Sequence, residues 1–323
     1  VITLVWRSDV HMADMPPQSR TDDWASTILG KLNQVGNIAR DVGADAVLDG
    51  GDFFHVKSPG RNSHEMVRRV TEVHAAYPCP VYANVGNHDV KYGSMEYLSE
   101  SPLAVLFESG VFRRCYDQHE AVFTRDEVKV RVVGIPYHGT SYDMNRFTSI
   151  VKGDEDHLVV IAHCLAAPKG GTLFDAEDVI GYNQLANLGP TVYCFGHWHK
   201  NQGVTEIARG KHVVNVGSLS RGSISQDDLA RTPSCVVMRF SKDVATFETV
   251  ALKVAKPEDV FNLDARERRN TRAVTMEAVV DRLKSQLTMR ESGSVLDTVR
   301  SVTSISENIR ERTIHYLERA GAR

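Results

Sequence analysis

Five times in this chain a short apolar run ends in a small set of Asp, His or Asn side chains. Ile2–Trp6 leads to Asp9 and His11, and Ala46-Val47-Leu48 leads to Gly51-Asp52. Pro80–Val85 leads to Gly86-Asn87-His88-Asp89, Leu158–Ala162 to His163, and Thr191–Phe195 to His197 and His199. Apolar runs of this length read as strands buried on both faces. Open α/β sheets place their chemistry just past the carboxyl ends of such strands. One histidine at a strand end is usually structural; five matching clusters point to metal.

The segments between these runs say how the strands are joined. Trp24, Ile28, Leu32, Val35 and Ala39 fall on one helical face, with Thr21 as the expected N-cap and Gly43 as the stop. A second helix is expected between Arg61 and Ala76, with Met66, Val67, Val70 and Val73 on one side. Strand, helix, strand is the signature of a sheet with parallel members. Short helical pieces are expected at Met95–Leu98 and Leu103–Phe107, and a longer helix at Asp143–Val151. Residues 120–133 read as a hairpin turning at Arg125-Asp126-Glu127, and 191–252 as almost wholly β. The expected fold is α/β: two sheets packed face to face with helices outside.

The division expected along the chain is a core over 1–240, a cap-like β segment and linker over 241–264, and a helical region over 265–323. Arg266–Arg272 reads as a solvated linker, with a phosphate-contacting arm as the alternative. Beyond it, Met276, Val279, Val280, Leu283 and Leu287 form one amphipathic stripe. Ser304 and Glu307 make a capping box before Ile305, Ile309, Tyr316 and Leu317, and Gly321 ends that helix.

Composition narrows the class. Over 323 residues, 42% hydrophobic and 24% charged is ordinary for a globular protein. A formal charge of −3 argues against whole-surface attraction to nucleic acid but allows a local basic groove. No apolar run reaches the roughly 20 residues of a membrane span, and no secretory signal is visible. The five cysteines are dispersed without a C-x-x-C pair, which supports neither a disulfide framework nor a zinc ribbon. Cys164 and Cys194, in or beside expected strands, read as small core hydrophobes, and a reducing cytoplasm fits best.

Two divalent ions held about 3.5–4 Å apart need several N or O ligands and a shared one. Asp9 and His11, on alternate residues leaving one strand, can reach the same ion. Asp52, after two glycines, is the natural bridge; Asn87 offers an amide oxygen, and His163, His197 and His199 offer imidazoles. That donor set suits Mn²⁺, Fe or Zn²⁺ and lacks the thiolates of a structural zinc site.

These motifs resemble the calcineurin-like metallophosphoesterases, whose signature runs D-x-H, G-D, G-N-H-D/E, H and G-H-x-H. Here they are Asp9-Val10-His11, Gly51-Asp52, Gly86-Asn87-His88-Asp89, His163 and Gly196-His197-Trp198-His199, in order. The resemblance covers residues 1 to about 240 and implies the four-layer β-sandwich flanked by helices, with a small cap region and a C-terminal helical tail. It implies that one metal takes Asp9, His11, Asp52 and His199, and the other Asp52, Asn87, His163 and His197. It further implies that His88 meets the substrate phosphate and protonates the leaving oxygen, and that Asp89 orients His88 through a carboxylate–imidazole contact.

Gly51-Asp52-Phe53-Phe54-His55, followed by Ser58-Pro59, is similar to the G-D-L-F-H segment of the SbcD-type nucleases of double-strand-break repair. Gly217-Ser218-Leu219-Ser220-Arg221-Gly222-Ser223 is similar to the G-S-L-x-R-x-S stretch of that branch. Met12-Ala13 and Val85 depart from its usual Leu-Gly and Pro. This branch implies His55, Ser218 and Arg221 as substrate-binding residues beside His88. It also implies manganese-dependent exonuclease action on duplex ends, endonuclease action on single strands, a homodimer, and an SbcC-type ATPase bound by the C-terminal helices. A phosphomonoesterase or small-molecule phosphodiesterase is the alternative enzyme, and a non-catalytic metal module the alternative outside enzymes.

Overall fold

A computed structural model describes residues 1–55, 62–173, 177–264, 296, 299–300 and 307–319. Two compact units divide at residue 261: Val1–Phe261 and Asn262–Arg323. The first holds two six-stranded mixed sheets. One contains β1 (Ile2–Arg7), β2 (Ala46–Asp49), β3 (Val81–Ala83) and β4 (Phe112–Arg114), all parallel. The other has a parallel centre of β6 (Val128–Ile135), β7 (His157–His163), β11 (Val192–Gly196) and β13 (Lys211–Val216). Its antiparallel edges are β5 (Ala121–Arg125) and β12 (Asn201–Ala208). The first sheet is completed by β14 (Ser234–Phe240), antiparallel to β1, and β15 (Ala245–Ala251), antiparallel to β14.

Period-two alternation explains why the central runs are apolar throughout. On β1, Ile2, Leu4 and Trp6 enter the layer between the sheets, while Val5 enters the layer beneath the helices. On β7, Val159 and Ile161 join the inter-sheet layer and Val160 and Ala162 the opposite one. A strand buried on both faces therefore shows no polar alternation. The helices α1 (Trp24–Asp41) and α2 (His64–Ala75) cover the outer face of the first sheet with the apolar faces read from the sequence.

Several local expectations change. The N-cap of α1 is Asp23 rather than Thr21, because its carboxylate accepts from the Ser26 N–H. The two short pieces expected on either side of Pro102 are Met95–Glu100 and helix α3 (Pro102–Glu108), where Pro102 takes the first turn, which does not need its missing N–H. The helix expected over Asp143–Val151 is one turn, Asn145–Thr148. Four short strands were not foreseen: β4, and β8 (Ala166–Ala167), β9 (Gly171–Leu173) and β10 (Glu177–Gly181), the last three forming a third small sheet. The segment expected as a cap-like piece over 241–264 carries β15, the edge strand of the first sheet, so the core runs on past residue 240.

In the second unit a helix spans Glu307–Arg319, where the capping box expects one. Ser58-Pro59, Arg266–Arg272, the stripe Met276–Leu287, Ser304, Ile305 and Gly321 lie outside the described residues. Among the described residues no helix is long and apolar enough to cross a membrane.

Candidate metal centre

The carboxyl ends of β1, β2, β3, β7 and β11 meet, and the backbone there is drawn into shapes that side chains seldom adopt. Asp9, His11, Asp52 and His197 all have left-handed φ, at 55°, 50°, 53° and 81°. Non-glycine residues in this region are held there by their surroundings. Those surroundings are hydrogen bonds between strand ends. Asp9 N–H donates to the Gly51 carbonyl at 3.1 Å and His11 N–H to the Asp52 carbonyl at 3.0 Å. His197 N–H donates to Asp9 Oδ1 at 3.0 Å, and His88 N–H to Asp52 Oδ1 at 2.6 Å. Gly86 is required by close approach, because a Cβ there would collide with the Asp52 carboxylate and its own N–H.

Among the described residues three groups of side chains result. Asp9, His11, Asp52 and His199 offer ligand atoms within 4.8 Å of one another, so do Asp52, His163 and His197, and so do His11, His55 and His88. Asp52 belongs to the first two. Its carboxyl would be raised by burial, but the imidazoles of His163, His11 and His88 outweigh that and hold it well below the ordinary carboxylate range. His163 is the complement: burial lowers it, yet Asp52 and Asp9 bring it up to about 9.

The buried polar atoms fit a pair of cations. Asn87 Oδ1 and His163 Nε2 are buried with no hydrogen-bond partner, a costly state unless something else engages them. The Nδ1 of His163 lies 2.9 Å from the Gly50 carbonyl, which leaves Nε2, 3.4 Å from Asp52, for a ligand. His11 Nε2 and His199 Nε2 stand only 2.9 Å apart, with Asp52 Oδ2 3.8 Å from the first and Asp9 Oδ1 3.6 Å from the second.

His88 lies at the side of the first group. Its Nδ1 is 2.9 Å from the His55 carbonyl, its ring stacks on that of His55 at 5.2 Å, and both rings flank His11. His55 Nδ1 is 3.3 Å from His11 Nδ1. The contact expected between Asp89 and His88 is not the one formed. Asp89 is buried, and its two oxygens accept from the Phe54 N–H at 2.9 Å and the Gly86 N–H at 2.9 Å. It therefore ties the Asp52 and Asn87 loops together, and burial beside Asp52 pushes its carboxyl up to about 8.

Ser218 and Arg221 also differ from expectation. Only 1% and 3% exposed, they turn away from solvent: Ser218 Oγ donates to the Ser220 carbonyl, and Arg221 Nη2 to the Ala255 carbonyl at 2.6 Å. That stretch acts through its backbone. Leu219 N–H reaches the Ser8 carbonyl, Ser220 N–H the Asp9 carbonyl and Ser218 N–H the His199 carbonyl.

One residue at the centre was missed. Glu177, on β10, lies with Oε1 2.8 Å from His197 Nε2 and accepts the Tyr142 hydroxyl at 2.5 Å. A carboxylate behind a ligating imidazole fixes its tautomer and leaves the other nitrogen, here Nδ1, to face an ion. It stands 20 positions before its partner, in a short strand with no motif, so nothing local announces it.

A family model described as calcineurin-like phosphoesterase matches residues 3–201. No curated protein matches the chain. Among solved structures, a dimetal phosphatase from Danio rerio is similar over 78% of this chain and 96% of its own, with TM-score 0.51 and 13% identity. A Thermus thermophilus protein is similar over 78% of this chain and 100% of its own, with TM-score 0.46 and 16% identity. The NAD nucleotidase of Haemophilus influenzae aligns with 99% of this chain over 60% of its own length, with TM-score 0.42 and 12% identity.

Proposed function

Because this chain belongs to the calcineurin-like phosphoesterase family, we propose that it is the nuclease subunit of an SbcCD-like DNA repair or recombination complex. The observation that carries this reading is His55. It shares no group with the bridging Asp52 but clusters with His11 and His88 and stacks on His88 at 5.2 Å, giving a paired imidazole surface beside the bridging carboxylate. A phosphodiester has a substituent on each side of phosphorus, and a second imidazole suits the additional one.

When bound, two divalent ions, Mn²⁺ in this reading, supply Lewis acidity that lowers the pKa of water and neutralises phosphate charge. This chain's residues do the rest. Asp9, His11, Asp52 and His199 would hold one ion; Asp52, Asn87, His163 and His197 the other. His88, with Nδ1 bonded to the His55 carbonyl, presents Nε2 to the phosphate and the departing 3′ oxygen. His55 seats the neighbouring phosphate. The branch similarity at Gly51–His55 and Gly217–Ser223 supports duplex-end exonuclease and single-strand endonuclease action, a homodimer, and an SbcC-type ATPase gripped by the C-terminal helices.

The deciding assay is Mn²⁺-dependent release of nucleotides from linear DNA, run beside p-nitrophenyl phosphate and a metal-free control. Nucleotide release only with metal is expected. Hydrolysis of the small ester with intact DNA would place the chain among phosphomonoesterases, and no hydrolysis of either would leave a non-catalytic metal module.

A further inference from the structure

Two residues beyond Asp89 the chain makes a single tight turn, Lys91–Gly93, and its middle residue is anomalous. Tyr92 has φ 56° and ψ 14°, a left-handed conformation that costs free energy for any residue with a Cβ. No burial offsets that cost, because Tyr92 is 76% exposed, the largest exposure among the big hydrophobic side chains described. A strained backbone that presents an aromatic ring to water is explained most directly by a ligand for the ring.

The surroundings say what kind. Tyr97 meets Tyr92 edge to face, with centroids 5.3 Å apart and planes at 76°. The Lys91 ammonium stands 5.1 Å from the Tyr92 centroid and 5.8 Å from that of Tyr97. The turn is also fixed to the metal centre. Val90 anchors it in the core, and a Cβ on Gly93, whose φ is 63°, would lie 3.1 Å from the Tyr137 ring. Tyr137 in turn rests 5.4 Å from His197 and 6.3 Å from His163, and its N–H donates to the Val85 carbonyl at 3.0 Å. One ring therefore separates this surface from candidate ligands of the second ion.

We propose that Lys91, Tyr92 and Tyr97 form a platform for an unpaired nucleobase of the strand whose phosphate lies in the metal centre. This rests on the nuclease reading and adds a substrate subsite to it. Exposed aromatic faces interleaved with a cation are how proteins hold single-stranded nucleic acid without choosing a sequence, since every base has a π-face. Tyr92 supplies the stacking surface, Tyr97 braces it, and Lys91 serves the adjoining phosphate. A non-nucleotide ester such as p-nitrophenyl phosphate has no base to place there.

The test uses the full chain with Mn²⁺ and a phosphorothioate oligothymidylate of about twelve nucleotides, together with an abasic oligomer of the same length and linkage. Tyr92→Ala is expected to weaken binding of the base-bearing strand about ten-fold and to bind the abasic strand as the parent does. Tyr92→Phe, which keeps the π-face, should match the parent on both. Lys91→Ala should lower the salt slope of binding by roughly 0.7. Equal binding of both strands by Tyr92→Ala and the parent, while the parent still cleaves ordinary DNA, overturns the platform and leaves the nuclease reading standing. An equal loss on both strands also overturns it, because the effect is then not stacking. A parent that neither binds nor cleaves any oligonucleotide removes the nuclease reading and the platform with it.

Discussion

His88 and Glu177 both touch the ligand set, and they are expected to fail in opposite ways. His88 flanks the first group, bonded to the His55 carbonyl and stacked on the His55 ring. His88→Ala should keep two equivalents of metal and lose about a hundred-fold or more in turnover, as for a lost proton donor or charge stabiliser. Glu177 meets His197 Nε2 and the Tyr142 hydroxyl and belongs to neither Asp52-containing group. Glu177→Gln should weaken binding of one ion by about ten- to a hundred-fold, with the metal-free thermal midpoint close to the parent's. Metal content by elemental analysis and metal titration by calorimetry on both variants separate the two roles. A metal equivalent lost from His88→Ala would make His88 a ligand, and unchanged affinity in Glu177→Gln would make that carboxylate structural only. The first residue was legible because it sits inside a motif. The second was not, since a positioning carboxylate has no required spacing from the residue it serves.

Elements were legible in proportion to how far burial dictates their residues. The inner strands, covered on both faces, announce themselves as apolar runs, and β1, β2, β7 and β11 appear where those runs lie. The sheet of β8, β9 and β10 has strands of two to five residues, and Gly171–Leu173 is exposed throughout, so no period can form. Helix α1 also buries a cation. Lys31 lies on its buried face, 2% exposed, with Nζ donating to the Leu219 carbonyl at 3.0 Å. Burial, then the charges of Arg20, Arg221 and Arg231, lower its pKa from 10.5 to about 7. Between those values the unfolded chain holds the extra proton, so this residue makes stability rise with pH across the window. Its cost is full below pH 7 and gone above 10.5. Lys31→Met should therefore be the more stable protein at pH 7. Its advantage should shrink by about 1.4 kcal/mol per pH unit where the titration is complete in one state only. Denaturant unfolding of both proteins at pH 7, 8 and 9 checks this, and parallel curves would show that Lys31 does not titrate as argued.

At the scale of the whole molecule, the unit Val1–Phe261 contains both sheets and every candidate ligand. Truncation after Asp264 is expected to leave a folded, metal-binding enzyme whose thermal midpoint moves by a few degrees at most and which still cuts single strands. It should no longer bind an SbcC-type ATPase. Insolubility of the shortened chain, or continued co-purification with the ATPase, would assign the helical region to the core. Within that unit the ligand set has a particular division. Asp9, His11, Asp52 and Asn87 follow strands of the first sheet, and His163, His197 and His199 follow strands of the second. The ions would thus work as rivets through two plates. A slip of one plate over the other by a fraction of an ångström would misalign both rivet holes at once, long before either plate tore. Cys194 and Met238, whose sulfurs meet at 3.8 Å between the sheets, lie in the layer that sets this alignment. The centre is in that sense a gauge of sheet registry, and damage to the inter-sheet filling should read out there as loosened metal while the chain is still folded.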